Sequence, residues 1–402
     1  MPEQKVQTPV EVDTVFFYGY VIVLAALCIM TVVYGIRASF GALISGALSL
    51  SMLVQGCLAV VMGGLNDRFG PRLVLTFCSV FFGAGCLLMS RIGSVWHIYL
   101  FYGVIVGIGM SGFLVPLLST IARWFTKRRN VMSGMVFAGL GIGSLIAPPV
   151  ANWLIFAYNW RTSYLALGAI ALLVGVISAQ FFKRDPAEMG LAPYGRVEAK
   201  EASGDNAGLS FKEAVHTGQF WMLYAIYVCQ GFCFFSVMVH LVPHVTDMGI
   251  SATRAANILA ALGGSGIIGN IVLGGAGDRI GNKYVCVIGI TLMTATMFWL
   301  LSINDAWVFY LFVTIFGIAN GGCLTSESPI VAWLFGVRSH GVLLGMISFG
   351  FTVGAAIGPL LTGYIFDLTG SYQSAFIIIG VICFISLILI TFLRPIHSRA
   401  SS

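Results

Sequence analysis

The chain alternates from end to end between long apolar runs and short polar breaks. Twelve runs stand out, at residues 16–40, 42–65, 73–92, 96–122, 131–156, 162–182, 219–245, 254–276, 284–303, 306–335, 341–366 and 372–393. A helix crosses a lipid hydrocarbon core in about 20 residues, and every peptide group in it must find its hydrogen bond inside that helix. The pattern therefore predicts an all-α polytopic membrane protein with twelve transmembrane helices.

One break is far longer than the rest. Residues 183–218, opening Lys183-Arg184-Asp185-Pro186, are charged and punctuated by proline and glycine, which marks a linker between two sets of six spans. The expected organisation is a tail at 1–15, a six-helix bundle at 16–182, the linker at 183–218, a second bundle at 219–393 and a tail at 394–402. Within the linker, Leu209 to Val215 reads as a short helix lying in the interface.

The two sets resemble each other. An offset of 211 residues carries Asp67, Arg68 and Gly70 onto Asp278, Arg279 and Gly281, and Gly134, Met135, Gly139, Gly143 and Pro148 onto Gly345, Met346, Gly350, Gly354 and Pro359. One ungapped frame aligns two separate motifs, so the halves read as parallel repeats related by an axis along the membrane normal, with a site near midplane between them. From Phe17 to Asp67 the chain is about eight residues shorter than from Phe220 to Asp278, which reads as a tight connection near Arg37 to Ala42.

Composition agrees. Only 9% of residues are charged and 58% are hydrophobic, against about 25% charged in soluble domains, and the mean hydropathy is +0.95. The net charge of +6 points to topology and not to nucleic acid, because the basic residues fall in short loops on one side. Lys5, Arg123, Lys127, Lys183, Arg196, Lys200, Arg338 and Arg399 are among them, against Arg37, Arg91, Arg161 and Arg254 on or near the other. That bias places both termini in the cytoplasm and the chain in the cell inner (plasma) membrane. The first fifteen residues lack a basic n-region and a cleavage site, so no removable signal peptide is expected. Of the nine cysteines, those at 28, 57, 78, 86, 229, 233 and 323 sit in apolar runs without metal-ligand spacing and read as packing residues. No nucleophile and base pair, metal cluster or phosphate loop is visible. No catalytic residue, metal or cofactor is expected, the chain is not read as an enzyme, and a gradient must supply the energy.

Two motifs carry a physical reason. The loop from Gly63 to Arg72, reading GGLNDRFGPR, and its echo from Gly274 to Lys283 combine glycines that let helices approach with an aspartate placed where a neighbouring helix N-terminus or an arginine can face it. Asp67, Arg68, Arg72, Asp278 and Arg279 are thus candidate gating residues, together with Arg128 and Arg129. The doubled motif resembles the signature between spans 2 and 3 and spans 8 and 9 of the major facilitator superfamily. Trp124 to Arg129, leading into Ser133-Gly134-Met135, resembles the start of span 5 in the monocarboxylate transporter and oxalate/formate branch; of that branch's run before span 1 only Gly19-Tyr20 is present. The resemblance implies two pseudo-symmetric six-helix bundles, small carboxylates as substrates, and proton symport or anion exchange, with spans 1, 4, 7 and 10 lining the cavity.

Charges inside spans are costly and mark functional candidates. Arg37 lies about 30 Å of helix above Phe17 at 1.5 Å per residue; its donor fork suits a carboxylate, and the resemblance assigns that place to anion capture, the alternative being snorkelling to the interface. Glu327 is the carboxylate inside a span, where burial favours its neutral form and makes it a proton-coupling candidate. His240 stands at the depth of Arg37 in the second half. Asn270 stands where carboxylate-transporting relatives place an arginine; an amide can hydrogen-bond an anion but not neutralise it. Arg37 and Glu327 are expected to lie too far apart in depth for a direct ion pair. The leading expectation is a monomeric carrier for a small monocarboxylate and protons, bounded by the lipid bilayer and without a nucleic-acid partner. An anion exchanger, a carrier or exporter of a neutral or amphipathic solute, and a non-transporting membrane sensor remain open.

Overall fold

The computed structural model describes residues 17–40, 45–195, 208–303 and 305–395. Residues 1–16 and those beyond 395, linker residues 196–207, residues 41–44 and residue 304, and with them Lys5, Arg196, Lys200 and Arg399, lie outside the described residues. Among the described residues, twelve helices are long and apolar enough to cross a membrane. They are α1 (Gly19–Phe40), α2 (Ser45–Phe69), α3 (Pro71–Met89), α4 (Val95–Trp124), α5 (Arg129–Ala157), α6 (Trp160–Gln180), α7 (Gly218–Asp247), α8 (Ala252–Ile280), α9 (Asn282–Leu300), α10 (Ala306–Phe335), α11 (His340–Thr369) and α12 (Tyr372–Phe392).

Several boundaries differ from those the apolar runs predict. The segment Gly63 to Arg72 is not a loop: α2 runs through Asn66, Asp67 and Arg68 to Phe69, and α3 starts at Pro71. A single residue, Gly70 at φ 83°, turns the chain between them, as Gly281 at φ 94° does between α8 and α9. Only glycine enters that region without strain, and Pro71 at the first helical position supplies a preset φ. The eight-residue deficit is not confined to the connection near Arg37 to Ala42, of which Arg37 to Phe40 are helical and 41–44 lie outside the described residues. Helices α1 and α2 have 22 and 25 residues, whereas α7 and α8 have 30 and 29, so the first pair of spans is itself short. Span α4 contains a stretch of π-helix at Tyr99–Val106, which the apolar pattern does not reveal and which widens the helix in its first half.

Helices pack where glycines remove side chains. Gly35 and Gly139 let α1 close on α5, Gly231 and Gly354 let α7 close on α11, Gly103 and Gly107 let α4 close on α2, and Gly269 and Gly321 let α8 close on α10. The same pairs recur in the two halves, α1–α5 matching α7–α11 and α2–α4 matching α8–α10. Helices α3, α6, α9 and α12 form the outer pairs and expose large apolar side chains such as Phe77, Leu173, Ile288 and Phe384, a surface suited to lipid tails and not to water.

Across the halves, two seams form. Gly63, Ala59 and Gly56 of α2 pack on Gly341, Gly345 and Thr352 of α11, while Gly134 and Gly141 of α5 pack on Asn270 and Ile267 of α8. Both seams hold at the end of the molecule that carries Asp67 and Asp278. Farther along, a methyl group at Gly263, one turn beyond Ile267 on the same face of α8, would meet no atom within 4 Å, so the α5–α8 seam has parted there.

Candidate functional site

Two polar sites lie on this frame, one between the halves and one where the seams close. The first is built from α1, α2, α10 and α11. Arg37 of α1 donates from Nη1 to Oε1 of Gln55 on α2 at 2.6 Å. The arginine therefore reaches inward to a neighbouring span; the snorkelling alternative does not describe it. It has no ion pair among the described residues. Glu327 of α10 is 2% exposed and accepts at 2.6 Å from the hydroxyl of Ser348 on α11. Tyr34 stands within electrostatic range of both Arg37 and Glu327, Tyr102 on the π segment of α4 within range of Arg37, and Tyr227 of α7 within range of Glu327. The centre thus holds one cation and one carboxyl from opposite halves, without an ion pair between them among the described residues, and Tyr34 is near enough to feel both charges.

His240 and Asn270 are not brought to Arg37. The His240 ring nitrogen Nε2 lies 2.9 Å from the carbonyl of Pro359, and the ring leans on Tyr372, so it joins α7 to α11 and α12. Asn270 is buried in the α5–α8 seam, with its carbonyl against Gly134 and its side-chain oxygen beside Gly321 of α10.

The second site comprises two clasps. Asp67, at the last turn of α2, accepts from the backbone N–H groups of Gly341 and Val342 at 3.2 and 3.0 Å. These are the first free donors of α11, where the helix dipole favours a negative charge. Asp67 is also paired with Arg123 of α4 at 3.2 Å, and Arg123 reaches Asp185 at 3.4 Å. In the other half Asp278, at the end of α8, accepts from the N–H groups of Asn130 and Val131 at 2.9 and 3.1 Å, the first turn of α5. Each clasp therefore joins one half to the other. They differ in electrostatics: Asp278 is exposed and has no ion pair among the described residues, and the amide of Asn130 instead bonds Asn282.

The remaining gating candidates fall elsewhere. Arg129 caps the end of α4 by donating to the carbonyls of Phe125 and Ala122 at 2.9 and 2.6 Å. Arg128, the non-glycine residue at positive φ (63°), turns the chain into α5. Arg72 faces outward and donates to Gln180, Arg68 lies over the Phe69 ring, and Arg279 is exposed. Arg123 carries the ion pair, though its sequence signal was only that of a charge near a span end. Ser328 of α10 adds a further cross-half bond by donating to the carbonyl of Leu118 on α4 at 3.3 Å.

Two six-helix halves, joined by reciprocal clasps and enclosing an unpaired cation and a carboxyl, define a polytopic membrane protein of the transporter class. The chain belongs to the Major Facilitator Superfamily, whose family profile matches residues 14–275 and 241–402. It is 26% identical over 379 residues to monocarboxylate transporter 13 of Bos taurus, covering 90% of this chain and 86% of the relative. It is 28% identical over 371 residues to monocarboxylate transporter 12 of Mus musculus, covering 86% and 75%. Among solved structures, the human organic anion transporter MFSD10 (TETRAN) superposes with a TM-score of 0.72 at 15% identity, covering 93% of this chain and 98% of that one. The E. coli fucose:proton symporter superposes with a TM-score of 0.71 at 13% identity, covering 94% and 98%. These two likenesses concern the fold alone.

Proposed function

We propose that this chain is a secondary active carrier moving a small monocarboxylate by alternating access, coupled to a proton in the same direction. The observation that carries the reading is Arg37: a permanently charged fork with a neutral amide as its partner and no carboxylate paired with it among the described residues. A guanidinium binds a carboxylate through two parallel bonds, and an incoming anion supplies the missing countercharge. Relatives named monocarboxylate transporters support the choice of substrate class.

Glu327 gives the coupling. Protonated, it lets the loaded site cross nearly neutral; ionised, it opposes movement of the halves by keeping a bare charge in a dry place. The clasp end faces the cytoplasm of the inner membrane, since the basic residues collect there, so the conformation described is closed inside and parted outside. Asp67 and Asp278 hold that closure, Arg123 strengthens it on one side, and Arg128 and Arg129 set the start of α5. Asn270 borders the site at the seam; His240 braces α7 against α11 and α12. Arg68, Arg72 and Arg279 serve topology.

The test is uptake of labelled lactate into proteoliposomes. Wild-type uptake should rise when the outside is acidified, Arg37→Ala should raise KM by at least about tenfold, and Glu327→Gln should leave residual exchange insensitive to a pH gradient. Uptake unaffected by the gradient in wild type, or unaffected by both substitutions, overturns this reading. A neutral or amphipathic solute remains the second reading, favoured by the amide at Asn270 in place of a charge; counterflow of neutral solutes without carboxylate counterflow would select it.

A further inference from the structure

Arg37 presents a problem of charge balance. Its guanidinium carries five donors and keeps its charge at any biological pH, it is partly buried inside a span, and the described residues offer it no ion pair. Among the described residues its hydrogen-bond partner is the Gln55 side-chain oxygen at 2.6 Å. An amide oxygen has the shape of half a carboxylate: one sp² acceptor in the plane of the fork, without the charge. Gln55 lies one residue before Gly56, where α2 touches Thr352 and Phe349 of α11 across the seam. The side chain that holds Arg37 is thus carried by a helix that also joins the halves. The same arrangement recurs opposite: Glu327 is held by Ser348, a neutral residue on α11, the other helix of that seam.

From this we infer that Gln55 is a neutral stand-in for the substrate carboxylate. In the empty carrier its oxygen occupies part of the Arg37 fork, keeps the guanidinium aimed into the site, and ties it to α2. An arriving carboxylate makes two charge-assisted bonds where the amide makes one, so it displaces Gln55 and frees α2 from α1 at the level where α2 meets α11. Gln55 is therefore a positioning residue whose chemistry sets both anion affinity and the coupling of occupancy to the seam. The inference rests on the carrier reading above, and adds to it the prediction that two replacements of one residue move affinity in opposite directions.

The experiment compares wild type, Gln55→Glu and Gln55→Ala as full chains in proteoliposomes, using lactate uptake and lactate-induced shifts in melting temperature. Gln55→Glu is nearly isosteric and gives Arg37 an internal carboxylate. It should raise the lactate KM by at least about tenfold and abolish the lactate-induced shift, while the lactate-free protein melts higher than wild type. Gln55→Ala removes the competitor, so KM should fall by up to about fivefold, the loss of one hydrogen bond in the empty state. Acidification should still stimulate the uptake that remains in Gln55→Ala, because Glu327 is untouched. A merely structural role would move both variants the same way, toward lower melting temperature and lower maximal rate. Wild-type affinity in Gln55→Glu overturns the inference, as does a raised KM in both variants; should Gln55→Ala not fold, the isosteric variant decides alone. Absence of any lactate or other small-carboxylate response in wild type would instead overturn the carrier reading, and with it this assignment.

Discussion

Replacing Asp67 with asparagine removes a charge from the start of α11 while keeping the size of the side chain. In the native clasp the carboxylate accepts from Gly341 and Val342 and faces Arg123 at 3.2 Å. Asparagine keeps one acceptor oxygen and turns an N–H₂ group toward the other donor, so one charge-assisted bond is lost, at about 1.5–3 kcal/mol, and the second falls to the neutral value near 1 kcal/mol. The Arg123 pair adds up to about 1 kcal/mol for a partly exposed ion pair. The closed state should lose about 3 kcal/mol in all, enough to move its ratio to a state open at the clasp end by about 150-fold. Asp278→Asn should cost less, about 1.5 kcal/mol or roughly tenfold, because that carboxylate is exposed and has no ion pair among the described residues. The assay is the distribution of distances between labels at Lys127→Cys and Arg338→Cys in lipid nanodiscs, with exposed Cys57 replaced by serine. The long-distance population should grow in both variants, and far more for Asp67→Asn. An unchanged distribution in both would refute the clasp; a larger opening with Asp278→Asn would refute the claim that the Arg123 pair makes the first clasp stronger.

Arg123→Gln should open the same end by less than about tenfold, since it keeps both backbone bonds to Asp67, and raising the salt concentration should shrink its effect. Asn130→Asp places a second carboxylate beside Asp278 and should release the α5–α8 clasp, seen as faster labelling of a cysteine placed at Ser133; protection equal to the parent would count against it. Gly354→Ala puts a methyl group into the backbone of α7 at Val228 and should lower the melting temperature, at a cost of about 1–3 kcal/mol. A melting temperature equal to wild type would show that α7 and α11 can part without loss.

The hydrocarbon core imposes one demand on every span, and the apolar runs therefore display it plainly. The number of helices and their pairing into halves were legible for that reason. What was not legible depends on rotation. Counting residues from Phe220 gives the height of His240 but not its azimuth, which changes by 100° per residue, and the ring turns to Pro359 and not to Arg37. Neutral partners leave almost no trace either: nothing in the runs around Gln55 and Ser348 says that one meets a cation and the other a carboxyl. The GGLNDRFGPR segment read as a loop because its polar residues end the apolar window, whereas helical hydrogen bonding continues to Phe69 and a single glycine makes the turn. Arg123 was visible as a charge near a span end, and its pairing with Asp67 and Asp185 needed the approach of α2, α4 and the linker. The short α1 and α2 showed in the residue count, but the count could not say whether helix or connection was missing.

The reciprocal bracing of α2 onto α11 and α8 onto α5 bears on leakage. Because each clasp is anchored in both halves on a different side of the central axis, a momentary lapse of one leaves the other as a pivot and the pathway stays shut. If each were undone roughly one part in a hundred of the time, independent lapses would coincide only about once in ten thousand. A membrane that stores energy as an ion gradient is short-circuited by any pore, so duplication of a modest contact guards that store more effectively than strengthening a single one.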